Sequence, residues 1–255
     1  MGSNLNSPLE ITEVQKNVAI TKANNPVVKT FMMGIMAGIF IAIGGAASTM
    51  VNIVGKGLSP LVTKLLGSGI FTIGIVSVVL AGAELFTGNI LMSIGAFSKD
   101  ISVKELLQNW IKVWIFNLLG SILFAAIITF TRIFEESGPE VFGKMANAKA
   151  SMDLSTAFFR GVGCNLLVCL SVWTSTAGKD GISKFFLAAF PVAVFVFFGF
   201  EHCVANMYYF PQALFLGAKV PIGSIIIRLL VVTLGNIVGG LLISIPYYFT
   251  YGRKQ

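Results

Sequence analysis

The stretch Gly199-Phe200-Glu201-His202-Cys203-Val204-Ala205-Asn206 carries the only histidine of the 255-residue chain, beside a glutamate, within an apolar run from about Phe185 to Leu216. Imidazole is the one side chain whose charge changes near neutral pH without help from its surroundings. His202 is therefore a candidate to hold, release or polarise a proton. An apolar setting opposes charging of the ring, whereas Glu201 or an approaching anion favours it. Ionisable groups at hydrocarbon depth are costly, and they call for a pore, a partner or a task. The stretch also has a counterpart. Gly82-Ala83-Glu84-Leu85-Phe86-Thr87-Gly88-Asn89 repeats its Gly, Glu and Asn at an offset of 117 (201 − 84), inside the apolar run Leu65–Phe97. Interrupted hydrophobic segments in matching positions of two halves point to a membrane transport site.

Thr87 from one stretch and His202 from the other can meet across the axis relating the halves, with the hydroxyl orienting the ring or a permeant. Glu84 and Glu201 invite paired-carboxylate chemistry. The same residue at the same turn of two breaks reads instead as a brace for interrupted backbone. Phe71, Leu85, Phe86 and Phe195 read equally as packing or as apolar constrictions. Cys164, Cys169 and Cys203 lie within spans and form no metal-spaced pair, so they read as small buried apolar residues. No metal and no cofactor are expected. An intramembrane enzyme built on His202 and Cys203 is disfavoured, because adjacent helical residues point about 100° apart and no third orienting group is evident. No catalytic residues are assigned.

The elements that must position these groups follow from composition. The chain is 55% hydrophobic and 11% charged, with mean hydropathy +0.85, against about 25% charged for soluble domains. With roughly 20 apolar residues needed per span, six spans are expected: Val27–Val54, Leu65–Phe97, Trp110–Phe134, Leu154–Ala177, Phe185–Leu216 and Pro221–Tyr251. The runs are continuous rather than alternating, which excludes a transmembrane β-barrel. The 27 glycines suit close helix packing in lipid. The net charge of +7 comes from basic residues at span ends rather than from a nucleic-acid surface. Nine of them (Lys16, Lys22, Lys29, Lys99, Lys104, Lys179, Lys184, Arg253 and Lys254) fall on the N-terminal side, against six (Lys56, Lys64, Arg132, Lys144, Lys149 and Lys219) opposite. By the positive-inside rule both termini are cytoplasmic. The first 25 residues are polar, so no cleavable signal peptide is expected.

Matching positions recur elsewhere. Gly34 and Ser48 of the first span answer to Gly161 and Ser175 of the fourth at an offset of 127. Asn117 and Gly120 of the third answer to Asn236 and Gly239 of the sixth at 119. A repeat of three spans places its second copy upside down, as in many channels and transporters. The second and fifth runs are 33 and 32 residues long, more than a straight crossing needs. Their breaks are expected at Glu84–Asn89 and Glu201–Asn206, with Asn89 and Asn206 capping the second half-helices and helix N-termini turned inward to favour an anion. Pro191 and Pro211 are expected to add interruptions.

The chain therefore divides into an amphipathic N-terminal helix within 1–26, a channel domain 27–251 (repeats 27–134 and 154–251) and a tail 252–255. Ser7-Pro8-Leu9-Glu10 forms a capping box; Ile11, Val14 and Val18 fall on one face, and Asn24-Asn25-Pro26 ends the helix. That helix either anchors passively at the interface or gates a pore mouth. Glu135–Asp153 reads as the only long connection, and Arg160 and Arg228 read as snorkelling to the interface.

The two Glu-containing stretches, together with Asn165-Leu-Leu-Val-Cys-Leu-Ser-Val-Trp173 and Asn206-Met207, resemble the signatures of the formate/nitrite transporter family, across all six spans. Within it the chain looks closest to the hydrosulfide-channel branch. The resemblance implies an aquaporin-like fold and a homopentamer with one pore per protomer in the cell (inner) membrane. It also implies passage of small monovalent anions such as formate, nitrite, hydrosulfide or lactate. Thr87 and His202 match the family's central polar pair, and Phe71, Leu85 and Phe195 match positions that narrow its pore. Lys149 matches a lysine that draws anions into the outer vestibule, and the N-terminal helix one proposed to gate the cytoplasmic mouth.

Energetics then suggests a mechanism. A bare anion pays heavily at the bilayer centre, whereas a weak-acid anion that accepts a proton, from His202 or through water, crosses the constrictions neutral. The alternatives are a proton-coupled secondary transporter of formate, nitrite or lactate, and an aquaporin-like channel for neutral solutes. The latter is disfavoured by Thr87-Gly88-Asn89 and Ala205-Asn206-Met207 standing where Asn-Pro-Ala boxes are expected.

Overall fold

A computed structural model describes residues 5–253. Lys254 of the charge balance, the last two residues of the tail 252–255 and the first four of the N-terminal segment lie outside the described residues. Among the described residues, six helices are long and apolar enough to cross a membrane: Val27–Gly57, Pro60–Ala81, Val103–Phe130, Leu154–Ala177, Gly181–Phe198 and Ile222–Gly252. In chain order the α-helices are α1 (Pro8–Ala23), α2 (Val27–Val54), α3 (Pro60–Phe71), α4 (Ile73–Ala81), α5 (Ser93–Phe97), α6 (Val103–Phe130), α7 (Gly138–Ser151), α8 (Leu154–Ala177), α9 (Gly181–Phe198), α10 (Cys203–Phe215) and α11 (Ile222–Tyr247). Between α4 and α5 a short 3-10 segment covers Gly88–Met92. No strand forms among the described residues.

The second and fifth spans are broken, as expected. Each first half ends on a glycine with positive φ, Gly82 at 78° and Gly199 at 71°, a backbone region that any Cβ would strain. The backbone resumes helical geometry after Thr87 and His202. Asn89 and Asn206 are not the caps. His202 itself is the N-cap of α10, its side chain accepting from Ala205 N–H, and Thr87 precedes the other half-helix without a side-chain cap. The two asparagines sit within the first turn and reach back to the glutamates instead. Pro191 and Pro211 lie inside α9 and α10 without ending either helix.

Other boundaries move for local reasons. The third span begins at Val103 rather than Trp110, because Ser102 and Glu105 form a capping box one residue upstream. Glu135–Asp153 is not a loop but contains α7. Pro139 stands in its first turn, and Phe142, Ala146 and Ala150 repeat at helical spacing as a buried stripe. In α1 the capping box is present, but the buried face is Ile11, Thr12, Gln15, Lys16 and Ala19 rather than Ile11, Val14 and Val18. That face packs on the spans: Gln15 Nε2 donates to Thr176 Oγ1 at 3.0 Å and Lys16 Nζ to Gly252 O at 2.9 Å.

The two halves repeat one another contact by contact. Glu84 N–H donates to Met33 O at 3.1 Å, and Glu201 N–H to Arg160 O at 3.2 Å. A Cβ on Gly120 would overlap the Ile35 carbonyl, and one on Gly239 the Val162 carbonyl. Both glycines thus let matching helix pairs, α2 with α6 and α8 with α11, approach backbone to backbone. The inner cavity described below is lined by Lys29 near the start of α2 and by Ser175 and Thr176 near the end of α8. Equivalent spans therefore run in opposite directions, and the repeat is inverted. Arg228, expected to snorkel, instead donates from Nε to Met152 O at 2.8 Å, tying α11 to the α7–α8 junction.

Candidate functional site

Each break exposes backbone that must be paired at depth, and one asparagine per half does most of it. Asn117 Nδ2 donates to Gly34 O and Glu84 O, both at 2.8 Å, and its Oδ1 accepts from Phe86 N–H at 2.9 Å. Asn236 repeats the pattern on Gly161 O (2.8 Å), Glu201 O (3.0 Å) and Cys203 N–H (2.9 Å). Both side chains are fully buried. Phe86, one of the expected constrictions, belongs to this brace through its backbone and lines neither cavity.

The glutamates are held by a lysine and an asparagine each. Asn89 Nδ2 donates to Glu84 Oε2 at 2.7 Å, while Lys22 Nζ donates to Glu84 Oε2 at 3.1 Å and to Asn89 Oδ1 at 2.6 Å. Asn206 Nδ2 donates to Glu201 Oε2 at 2.8 Å, and Lys149 Nζ bonds both carboxylate oxygens, at 2.7 and 2.9 Å. Lys149 is thus a paired charge, with its side chain 16% exposed. Lys22 was missed as a site residue, yet it lies 127 positions before Lys149, the offset that relates α2 to α8. Each repeat accordingly begins with a short helix, α1 or α7, whose last turn delivers a lysine to the break of its own half.

Two cavities that share no lining residue approach the centre from opposite ends. The inner one, about 750 Å³, lies under α1 and is lined by Lys22, Glu84, Leu85 and Asn89 among others; Val14 and Val18, unburied on α1, face it. The outer one, about 170 Å³, is lined by Phe71, Lys149, Phe195, Glu201, His202 and Asn206. Phe71 and Phe195 meet edge to face at 5.7 Å between centroids, and Phe195 lies 5.8 Å from the imidazole, tilted by 30°. Between the cavities Thr87 Oγ1 and His202 Nε2 are 2.9 Å apart, with Thr87 fully buried and His202 3% exposed. The pair foreseen across the axis is therefore in contact.

The tautomer follows from the cap. His202 Nδ1 accepts from Ala205 N–H at 3.2 Å, so a neutral ring carries its proton on Nε2 and donates to Thr87 Oγ1. The Thr87 hydroxyl hydrogen then points away from the ring. The Thr87 carbonyl is fixed from behind by Asn165 Nδ2 at 3.2 Å, which also reaches Asn236 O at 2.6 Å, and by Cys169 Sγ at 3.4 Å. Asn165, the first residue of a signature-like stretch, therefore braces the Thr87 break against α11. Protonating Nδ1 would remove the acceptor of the Ala205 N–H. The arrangement can present one oriented hydroxyl donor directly behind the imidazole that lines the outer cavity.

A family model described as "Formate/nitrite transporter" matches residues 9–250. A "Probable formate transporter" of Methanothermobacter thermautotrophicus is 35% identical over 274 residues, covering 100% of both chains. "Formate channel FocA" of Haemophilus influenzae is 33% identical, covering 92% of this chain and 90% of that one. Among solved structures, a "Pentameric formate channel with formate bound" superposes with a TM-score of 0.80 at 36% identity, covering 89% of this chain and 98% of the other.

Proposed function

Because this chain belongs to the formate/nitrite transporter family, we propose that it is a membrane channel for small monovalent weak-acid anions, of the size of formate, nitrite or hydrosulfide. The observation that carries this reading is the buried contact of Thr87 with His202, the latter at the edge of an outer cavity walled by Phe71 and Phe195, with an inner cavity walled by Leu85 on the other side. Homopentameric assembly in the cell membrane, one pore per protomer and both termini cytoplasmic, accords with the similarity to the pentameric formate channel and with the large apolar side chains on the protomer surface, among them Phe130, Phe159 and Phe190.

An anion leaves the outer cavity past two phenyl rings or the inner one past Leu85, and in either direction the full charge is unaffordable at that depth. Thr87, polarised by the Nε2–H of His202, donates its hydroxyl hydrogen to the permeant, which lowers the barrier for the last polar contact. The permeant takes its proton from water in the cavity and passes neutral. His202 thus polarises and orients; it does not release a proton, since a neutral ring has only Nε2–H to give. Lys149 and Glu201 attract and release the anion at the outer side, where the paired carboxylate keeps the lysine from trapping it.

The test is His202→Asn, which keeps an N-cap side chain for α10 but cannot reach Thr87. Formate flux into proteoliposomes should fall at least about tenfold, the cost of a lost buried hydrogen bond, while still rising as pH falls. An unchanged rate overturns the central role of the ring. A lost pH dependence restores His202 as the proton source.

A further inference from the structure

The two halves of the inverted repeat differ at their lysine–glutamate pairs. On the inner side Lys22 Nζ divides itself between Glu84 Oε2 (3.1 Å) and Asn89 Oδ1 (2.6 Å). On the outer side Lys149 Nζ takes both oxygens of Glu201, at 2.7 and 2.9 Å. Asn206 Oδ1, the counterpart of the acceptor that Lys22 uses, is buried and finds no hydrogen-bond partner among the described residues. Its Nδ2 is spent on Glu201 Oε2, so turning the amide over would set oxygen against oxygen. The break offset of 117 brings Tyr209 to the place of Met92 (209 − 117). Met92 lines the inner cavity and Tyr209 the outer one. The centroid of the Tyr209 ring lies 5.5 Å from Lys149 Nζ, within cation–π range.

An ammonium carries three N–H donors. Lys149 spends two on the carboxylate, which leaves one for the side that the ring covers. We propose that Tyr209 is a positioning residue whose ring clamps the Lys149 ammonium onto Glu201 and keeps its third donor from the permeant in the outer cavity. The inference rests on the channel reading above. An entering anion must displace the ring to gain a direct charge-assisted bond from Lys149, so the outer cavity attracts it without holding it. With methionine in place of the ring, as in the inner half, the ammonium is free to divide between Glu201 and the vacant Asn206 Oδ1. It then turns an uncovered N–H to the anion, which binds tighter and leaves more slowly.

The test is the concentration dependence of formate uptake into proteoliposomes of the full-length chain, with Tyr209→Met and Tyr209→Phe compared. In Tyr209→Met the half-saturating formate concentration should fall by about two- to twentyfold, the worth of a cation–π contact that the anion no longer has to break. The maximal rate should fall with it, because the anion leaves a deeper well. Tyr209→Phe restores a ring and should return both parameters toward wild type. In a Lys149→Met background, adding Tyr209→Met should no longer move the half-saturating concentration. A lower rate at unchanged half-saturation, Tyr209→Phe behaving like Tyr209→Met, or the same shift without Lys149 overturns the role. Absence of formate uptake by the wild type would count against the channel reading instead. Thermal unfolding in detergent then decides the clamp alone: a Tyr209→Met loss that vanishes once Lys149 is replaced by methionine supports it, and equal losses in both backgrounds overturn it.

Discussion

Replacing Thr87 by valine removes one hydroxyl and almost nothing else. The side chain is fully buried, and valine fills nearly the same volume, so the path should neither widen nor collapse. Two things change. His202 Nε2–H, 2.9 Å from the lost oxygen, is left without an acceptor at a 3% exposed position, which should cost about 1–3 kcal/mol of stability. The permeant also loses its one oriented donor between the cavities. A hydrogen bond between neutral partners is worth about 0.5–1.5 kcal/mol, and at about 1.4 kcal/mol per tenfold its loss makes formate flux about 2- to 12-fold slower. Thr87→Ser keeps the hydroxyl and should stay near wild type. The assay is stopped-flow formate uptake by proteoliposomes of matched protein content, with thermal unfolding in detergent as the check on folding. Thr87→Val flux equal to wild type, in protein that is folded, would refute the idea that a donor at this point lowers the barrier.

Further outcomes follow from the brace and the walls. Asn117→Ala and Asn236→Ala each strand one N–H and one carbonyl, of Glu84 or Glu201; each should cost about 2 kcal/mol or more, with similar losses in thermal unfolding because the two settings match. Lys149→Met leaves Glu201 buried without its cation and should destabilise by about 2–4 kcal/mol; Lys22→Met should cost less, since its pair with Glu84 is longer and more exposed. Adding Glu201→Gln to Lys149→Met should recover much of the loss. Phe195→Ala should raise total conductance and let chloride through, read as a shift in reversal potential; retained exclusion of chloride would show that the ring is not a wall of the path.

The breaks, the inverted repeat and the Thr87–His202 pair were legible in the sequence because each leaves a mark that packing does not imitate. An ionisable residue in an apolar run is rare, and the same residues recur at 117, 119 and 127 positions. What escaped notice lay in the short interfacial helices. The segment holding α7 mixes acidic, basic and small residues like a loop, although Phe142, Ala146 and Ala150 carry the helical period. Lys22 lay outside the spans, where a basic residue is expected anyway, and only extending the 127 offset past the first span would have singled it out. Hydrophobicity alone makes Val14 and Val18 look like a packing face. The groups that α1 meets are Thr176 and the Gly252 carbonyl, and these select its polar side instead. Residue type alone makes Asn89 and Asn206 look like caps. Their place within the first turn follows from the glutamates they hold, a contact between positions five apart that no capping rule contains.

Neutral passage of a weak acid is tested most directly by comparing formate, nitrite, hydrosulfide and chloride in the same proteoliposomes across pH. Formate should move far faster than chloride, and its flux should climb as pH falls, since more of the anion then meets a proton in the cavity. Chloride moving as fast as formate, or a formate flux indifferent to pH, would contradict it.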